Sequence, residues 1–201
     1  MNFKDIDFSK VANILNSMSD EEKENLQKMA QDMMDQKTES AEEEEDTDLF
    51  AFLNIPEEKY TDLPGTVLDQ IESAVDLEVY YEDDPDADFS GSILFYAKAM
   101  LNLLRKYHYE VYRDVLNMSQ GASTTTLYSF LTPLMQEGTI RTLVDAGYGT
   151  MEDWIFHRDC LQNLAILLSR AEYDRVGFQE VQMIKDILFN KKALLNVEEV
   201  I

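Results

Sequence analysis

The spacing of apolar residues is the feature that most restricts the fold of this chain. In residues 92–118, SILFYAKAMLNLLRKYHYEVYRDVLNM, apolar side chains recur every three or four positions over the whole length, which is the period of an amphipathic α-helix. The predicted buried stripe consists of Leu94, Ala97, Leu101, Leu104, His108, Val111 and Val115. Because strand-like alternation is scarce in the rest of the chain, the sequence predicts an all-α protein, an irregular helical bundle with this helix as its spine.

The same spacing, together with local end signals, predicts further helices in a bundle domain at residues 49–201. Pro64 suits the first turn of one helix, and Pro133 is expected to kink another. Gly147 is expected to end a short helix. The next helix has Thr150 and Asp153 at its start, where they predict a reciprocal cap.

The N-terminal 48 residues divide into two parts. Residues 1–35 predict a pair of short amphipathic helices, and residues 36–48 form an acidic linker that is expected to act as a self-repelling tether. One face of the second helix carries the residues Leu26, Met29, Met33 and Met34. Because unbranched Met side chains adapt to varied surfaces, we interpret this helical pair as a docking arm. Packing of the arm against the rest of its own chain is the alternative interpretation.

Charge is distributed unevenly along the chain. The chain has 40 acidic and 17 basic side chains, a net charge of −23. Residues 1–90 carry 27 acidic and 6 basic side chains, whereas residues 91–201 carry 13 and 11. Direct binding to nucleic acid is not expected, because phosphate contacts require Lys and Arg. Acidity of this kind favours solubility, a partner with a basic surface, or mimicry of nucleic-acid phosphates.

Several classes of protein are disfavoured by what the sequence lacks. Cys160 is the only cysteine, so no internal disulfide framework can form. The N-terminus has no basic segment followed by an apolar one, and no window approaches about 18 uninterrupted apolar residues. We therefore expect a cytoplasmic protein without a membrane partner. No motif for a cofactor was identified, so none is expected.

The stretch DADFSGSI, residues 86–93, matches the first half of a calcium-binding EF-hand loop. Asp86, Asp88 and Ser90 fall where oxygen ligands alternate, and a Gly follows at the sharp turn. Leu94 and Ala97, however, occupy the two later positions where the loop needs oxygen ligands. The three residues are therefore a candidate for weak cation binding only. The alternative is a solvated acidic run in which Ser90 or Ser92 caps the helix that follows.

An aromatic and basic cluster lies in residues 105–113, RKYHYEVYR. Its tyrosines, Tyr107, Tyr109 and Tyr112, are of a type enriched at protein interfaces, so they are candidate partner-binding residues. The alternative is that the neighbouring cations pair with the acidic first half of the chain. We expect His157 and Cys160, which lie among apolar residues, to be packed in the core, and His108 to lie at an interface.

Taken together, these features predict a non-enzymatic protein-binding protein, an adaptor or regulator that uses the Met-rich arm and an acidic surface. The first alternative is an acidic nucleic-acid mimic that inhibits a DNA- or RNA-handling protein. The second is an enzyme that uses carboxylates and a metal ion. No catalytic residue can be named for that enzyme, because neither His108 nor His157 has the Glu three residues before it that a metal-binding bundle uses.

Overall fold

A computed structural model describes residues 49–84 and 86–201, and within these ranges the chain forms helices and no strand. The predicted all-α class is therefore confirmed. The described helices belong to one compact unit, Asp48–Ile201. The predicted N-terminal helical pair and the acidic linker, residues 1–48, lie outside the described residues.

The helices follow one another through short connections. In chain order their bounds are α1 (Leu49–Leu53), α2 (Glu57–Tyr60), α3 (Gly65–Tyr80), α4 (Ser90–Leu103), the π-helical turn π1 (Leu104–His108), α5 (Tyr109–Leu116), α6 (Leu127–Leu134), α7 (Thr139–Asp145), α8 (Met151–Tyr173), α9 (Phe178–Lys185), the π-helical turn π2 (Asp186–Asn190) and α10 (Ala193–Glu199). A single 3₁₀ turn, Ala122–Thr124, lies between α5 and α6.

Helix α4 is the spine of the unit, as predicted. It packs against α3 on one side and against α8 on the other. Gly91, at its start, allows the close approach to α3, because a Cβ there would lie 2.7 Å from Cδ1 of Leu77. Both neighbours cover apolar surface of α4, so apolar side chains are found around most of its circumference.

The predicted stripe is only partly correct. The buried side chains of α4 include Ile93, Tyr96 and Met100, whereas Leu94 and Leu101 are half-buried. A helix that is covered on two sides has apolar residues on both, and their spacing alone does not identify the centre of the buried face. The helix is also not continuous, because the π-helical turn π1 inserts one extra residue before α5.

The residues that signal helix ends predicted the helix boundaries more accurately than the apolar spacing predicted the buried face. Pro64 precedes the first residue of α3, and Thr150 and Asp153 form the predicted reciprocal cap of α8. Gly147 follows the end of α7 and has a left-handed φ of 96°. The predicted kink at Pro133 is wrong. Helix α6 ends one residue later, and the chain turns before α7 starts.

Candidate functional site

The longest described helix, α8, has one face in the core and a second face that opens into a groove. Trp154, His157, Leu161 and Leu164 are buried on the first face. On the second face, a cleft of about 400 Å³ separates α8 from α9 and π2 and is lined by Ile166, Leu167, Met183 and Ile187. A second cleft of about 400 Å³ lies between α8 and α6. We call the two clefts together the Ile166 groove.

The two clefts are continuous because they share Ile166 and Arg170. Three large apolar side chains of the groove are open to solvent: Ile166 and Met183 are each 54% exposed, and Tyr128 is 43% exposed. The Tyr128 hydroxyl donates a hydrogen bond to the Ala165 carbonyl at 3.2 Å, which fixes the ring against α8. Exposed apolar residues are common singly, but a contiguous group with a polar rim is typical of an interaction site.

The charged side chains at the rim of the groove are paired. Arg170 forms a salt bridge with Glu180, with nitrogen and oxygen 2.8 Å apart, and Lys191 forms one with Asp186 at 3.2 Å. Hydrogen bonds from Asn190 and Lys191 lower the pKa of the Asp186 carboxyl. The rim thus carries no excess of either sign, and the groove offers a partner apolar contact inside a balanced polar border.

A different surface of the unit is strongly anionic. Asp69, Glu72 and Asp76 follow one another along the exposed face of α3, spaced three and four residues apart. The loop after α3 carries further exposed carboxylates, at Glu82, Asp83, Asp84 and Asp86. Within the described residues, none of these carboxylates has a basic partner within ion-pair distance. This surface therefore attracts cationic groups over a distance set by the ionic strength.

One carboxylate of α3 is buried instead. The Glu78 side chain is 1% exposed and the Lys185 side chain that pairs with it is 15% exposed, with Nζ and Oε2 2.9 Å apart. The Tyr96 hydroxyl donates to the other Glu78 oxygen at 2.5 Å. Burial, followed by the charge of Glu78, raises the pKa of Tyr96 far above its usual value. The Lys185 ammonium also lies 4.5 Å from the centre of the Phe52 ring, so this network ties α1, α3, α4 and α9 together.

Both histidines lie in the core, in contact with each other. The ring centres of His108 and His157 are 4.7 Å apart, and Trp154 and Tyr112 complete an aromatic cluster around His108. The expected core position of His157 is confirmed, but the prediction that His108 lies at an interface is wrong, since it is fully buried. Cys160 is buried nearby on α8, and burial raises the pKa of its thiol to about 11.

The tyrosine candidates differ in position. Tyr112 is fully buried against Phe130 and Trp154, so it does not lie on a surface that a partner can contact; it follows His108 by four residues and shares its buried face. Tyr107 and Tyr109 are half-buried. The Tyr109 hydroxyl donates to the Gln120 carbonyl at 3.0 Å, which fixes the loop after α5.

The cations of the same segment pair with no carboxylate of residues 49–84 and 86–90, and the rest of the acidic first half lies outside the described residues. Arg113 pairs with its neighbours Glu110 and Asp114. Arg105 donates to the carbonyl oxygens of Ser123 and Thr125. Lys185, in the second half of the chain, does pair with a described carboxylate of the acidic half, the buried Glu78.

The candidate cation loop, residues 86–90, has a structural role at the start of α4. Oδ1 of Asp88 accepts hydrogen bonds from the Ser90 backbone at 3.1 Å, the Ser90 hydroxyl at 2.6 Å and the Val176 backbone at 3.3 Å. Asp88, rather than Ser90 or Ser92, therefore supplies the side-chain acceptor for the first backbone amide of α4. Asp86 is exposed. Within the described residues, no group of three or more His, Cys, Asp or Glu side chains is arranged to hold a metal ion.

The remaining predicted binding residues, Leu26, Met29, Met33 and Met34, lie outside the described residues. The Ile166 groove, in contrast, was not predicted. A signal for it is present in α8, where Ile155 and Ile166 lie eleven residues apart, three helical turns, and so share a face that differs from the core face. Neither residue lies on the helix face that carries the buried side chains of α8. Apolar residues on a second face are typical of a helix with a second apolar contact surface.

Comparisons with protein-family models, with curated proteins and with solved structures gave no match to this chain. In the described part of the chain, no helix combines the length and the apolar character that crossing a membrane requires.

Proposed function

We propose that this protein binds another protein, and that the Ile166 groove receives an amphipathic helix of that partner. The observation that carries the proposal is the contiguous group of exposed Ile166, Met183 and Tyr128 side chains inside a rim of paired charges. Helix-in-groove binding uses anchors spaced three, four and seven residues apart that enter an apolar groove. The two clefts on either side of Ile166 provide two such anchor positions.

A macromolecular partner fits this groove better than a small ligand. Pockets for small molecules enclose most of the ligand's surface, whereas Ile166, Met183 and Tyr128 in this groove are each 43–54% exposed. An open apolar groove contributes binding energy when a partner covers it and excludes water from it. The proposed occupant is therefore a helix long enough to span both clefts.

The charge of the unit supports a partner with basic residues beside its apolar face. Residues 49–201 carry 25 acidic and 12 basic side chains, a net charge of −13, and the exposed carboxylates of α3 are not paired within the described residues. A field of this sign raises the encounter rate with a cationic partner and is weakened by salt. In this proposal the groove contributes affinity, and the anionic surface contributes the rate of association.

The test is affinity capture with the full-length chain and matched variants. Met183→Asp places a charge in the groove, and Met135→Asp is its control, because Met135 is 53% exposed and does not line the groove. We expect a partner of the wild-type protein to be retained by the Met135 variant and to bind the Met183 variant at least ~10-fold more weakly, as at a binding hot spot.

The same experiment separates the groove from the N-terminal arm. The predicted docking residues Leu26 and Met33 are replaced together by Asp in a third variant. If this variant loses the partner and Met183→Asp retains it, the groove is not the docking site and the arm is. Equal binding by all variants contradicts both assignments, because each substitution places a charge in a contact that is proposed to be apolar.

A second candidate function is mimicry of nucleic-acid phosphates. It is favoured by the exposed row of Asp69, Glu72 and Asp76 on α3. Replacing these three residues by their amides should abolish binding to a DNA- or RNA-handling protein, whereas Met183→Asp should not affect it. Binding that persists into molar salt would contradict mimicry, since ions screen charge pairs at the surface.

A further inference from the structure

The buried cluster of His108, His157 and Tyr112 contains polar atoms that have no hydrogen-bond partner among the described residues. They are Nδ1 of His108, Nε2 of His157 and the Tyr112 hydroxyl. An unpaired buried polar atom costs about 1–3 kcal/mol, so proteins rarely bring three of them together. Such a cluster beside a π-helical turn, π1, suggests a role beyond packing.

A polar contact of His108 joins it to the C-terminal helix α10. Its Nε2 lies 2.7 Å from the Val197 carbonyl oxygen. Because a carbonyl only accepts hydrogen bonds, Nε2 carries the proton and Nδ1 holds the free lone pair. A further proton therefore enters at Nδ1, where the fold provides neither an acceptor nor a counter-charge.

In the part of the chain that the structure describes, no charged group faces this pair to offset a proton. The groups that face the two imidazoles are each other, Tyr112 from α5, Trp154 from α8 and the Val197 carbonyl from α10. The carboxylates carried by the same helices are exposed and form a separate set: Glu110, Asp114, Glu152, Asp153, Asp159, Glu172, Glu198 and Glu199. A protonated imidazole in this cluster is therefore a buried charge without an ionic partner.

Helix α10 is the element whose movement relieves that charge most easily. It has seven residues and carries the Val197 carbonyl that His108 contacts, and a short helix has fewer contacts to break than a long one when it opens locally. A cleft of about 230 Å³ already lies at its edge, lined by Asp153, Phe156, Asn196, Glu199 and Val200. Water that enters by this route reaches the imidazoles once Val197 moves away.

We propose that His108 and His157 form an acid-sensitive latch, in which protonation of the imidazole pair releases the C-terminal helix Ala193–Glu199 while the rest of the unit stays folded. Burial lowers the pKa of His108 to about 4, and burial together with the neighbouring His108 lowers the pKa of His157. The latch is thus closed at neutral pH and opens below the ordinary histidine range.

The test follows both imidazoles of the full-length protein by NMR from pH 8 to pH 4, with amide hydrogen exchange corrected for its intrinsic pH dependence. The chain has two histidines, so both signals are assignable. We expect both to titrate below 6.5 and the opening of residues 193–200 to rise by ~10- to 100-fold per pH unit, for uptake of one or two protons. Helix α4 should stay protected over the same range.

A variant without histidines provides the second arm of the test. His108→Gln retains a donor for the Val197 carbonyl, and it is combined with His157→Leu. If this variant is folded at pH 8, its C-terminal helix should no longer open with acid; acid-dependent opening that persists would overturn the proposal. If this variant does not fold, the imidazole titration and the hydrogen exchange of the wild-type protein alone test the proposal. Imidazoles that titrate near 6.5, or α4 and α10 losing protection together, would each refute the latch.

Discussion

Replacing Lys185 by Met should be among the most destabilising single changes in the described unit. The substitution preserves the length of the side chain but removes the ammonium that pairs with the buried Glu78 carboxylate at 2.9 Å. Tyr96 then remains as the single hydrogen-bond donor to that carboxylate. Removing one partner of a buried ion pair costs about 3–5 kcal/mol, because the remaining charge is left uncompensated.

The expected magnitude is at the lower end of that range. Lys185 is 15% exposed, so some water reaches the position that its ammonium vacates, and we expect a loss of about 3 kcal/mol in the free energy of unfolding. This is a large share of the roughly 5–15 kcal/mol that stabilises a typical domain. With a slope of about 2 kcal/mol per molar urea, the unfolding midpoint should fall by about 1.5 M.

The assay is urea unfolding monitored by circular dichroism, with Lys191→Met as the matched control. Lys191 pairs with Asp186 at the surface, where both side chains are about half exposed, and pairs of that kind contribute about 0–1 kcal/mol. Adding Glu78→Gln to Lys185→Met should restore more than about 1 kcal/mol, since the buried charge is removed. Equal losses for the two lysine variants would refute the reasoning.

Three further predictions concern stability. Burial lowers the pKa of His108 from 6.5 to about 4, so the unfolded chain takes up a proton at a higher pH than the folded chain does. The free energy of unfolding should therefore keep its full His108 contribution above pH 6.5 and fall by about 3 kcal/mol as the pH drops towards 4. Urea unfolding across that pH range measures the loss. Gly149→Ala should cost about 1–3 kcal/mol in thermal unfolding, because φ is +50° and the new Cβ would lie 2.8 Å from the Val200 carbonyl oxygen. Thr150→Ala should cost about 1 kcal/mol in the same assay, since the hydroxyl accepts from the Asp153 amide at 3.2 Å. No loss at either position would contradict the geometry on which it rests.

The helices were predictable where the signal is local. The cap at Thr150 and Asp153 depends on two side chains three residues apart, and the end of α7 depends on the conformational freedom of Gly147. Both are encoded within one helical turn, so no knowledge of the tertiary structure is needed. Pro133 was misjudged because a proline near the end of a helix is compatible with either a kink or a stop.

The buried polar groups were not predictable, because their partners lie far away in the sequence. Glu78 belongs to an acidic segment and looks like a surface residue until Lys185, 107 positions later, is brought beside it. His108 meets Val197 across 89 positions. The π-helical turns also leave no clear signal, since one inserted residue shifts the apolar spacing by less than one helical turn.

The candidate site was missed for a related reason. The Ile166 groove is assembled from α6, α8, α9 and π2, and each of them contributes between one and three apolar side chains, too few to mark a groove in the sequence of one helix. Tyrosine is a residue type enriched at protein interfaces, but the aromatic ring of Tyr112 is buried in the core. Composition identifies residues suited to burial without stating whether a partner or the same chain covers them.

An NMR footprint shows whether the partner binds in the Ile166 groove. The captured partner's binding segment is titrated into the full-length chain, and shifts of the Ile and Met methyl signals and the Tyr ring signals are recorded. We expect the signals of Ile166, Met183 and Tyr128 to shift or broaden on binding, whereas that of Met135 should not. Perturbation confined to other parts of the chain, with these three signals unchanged, would contradict it.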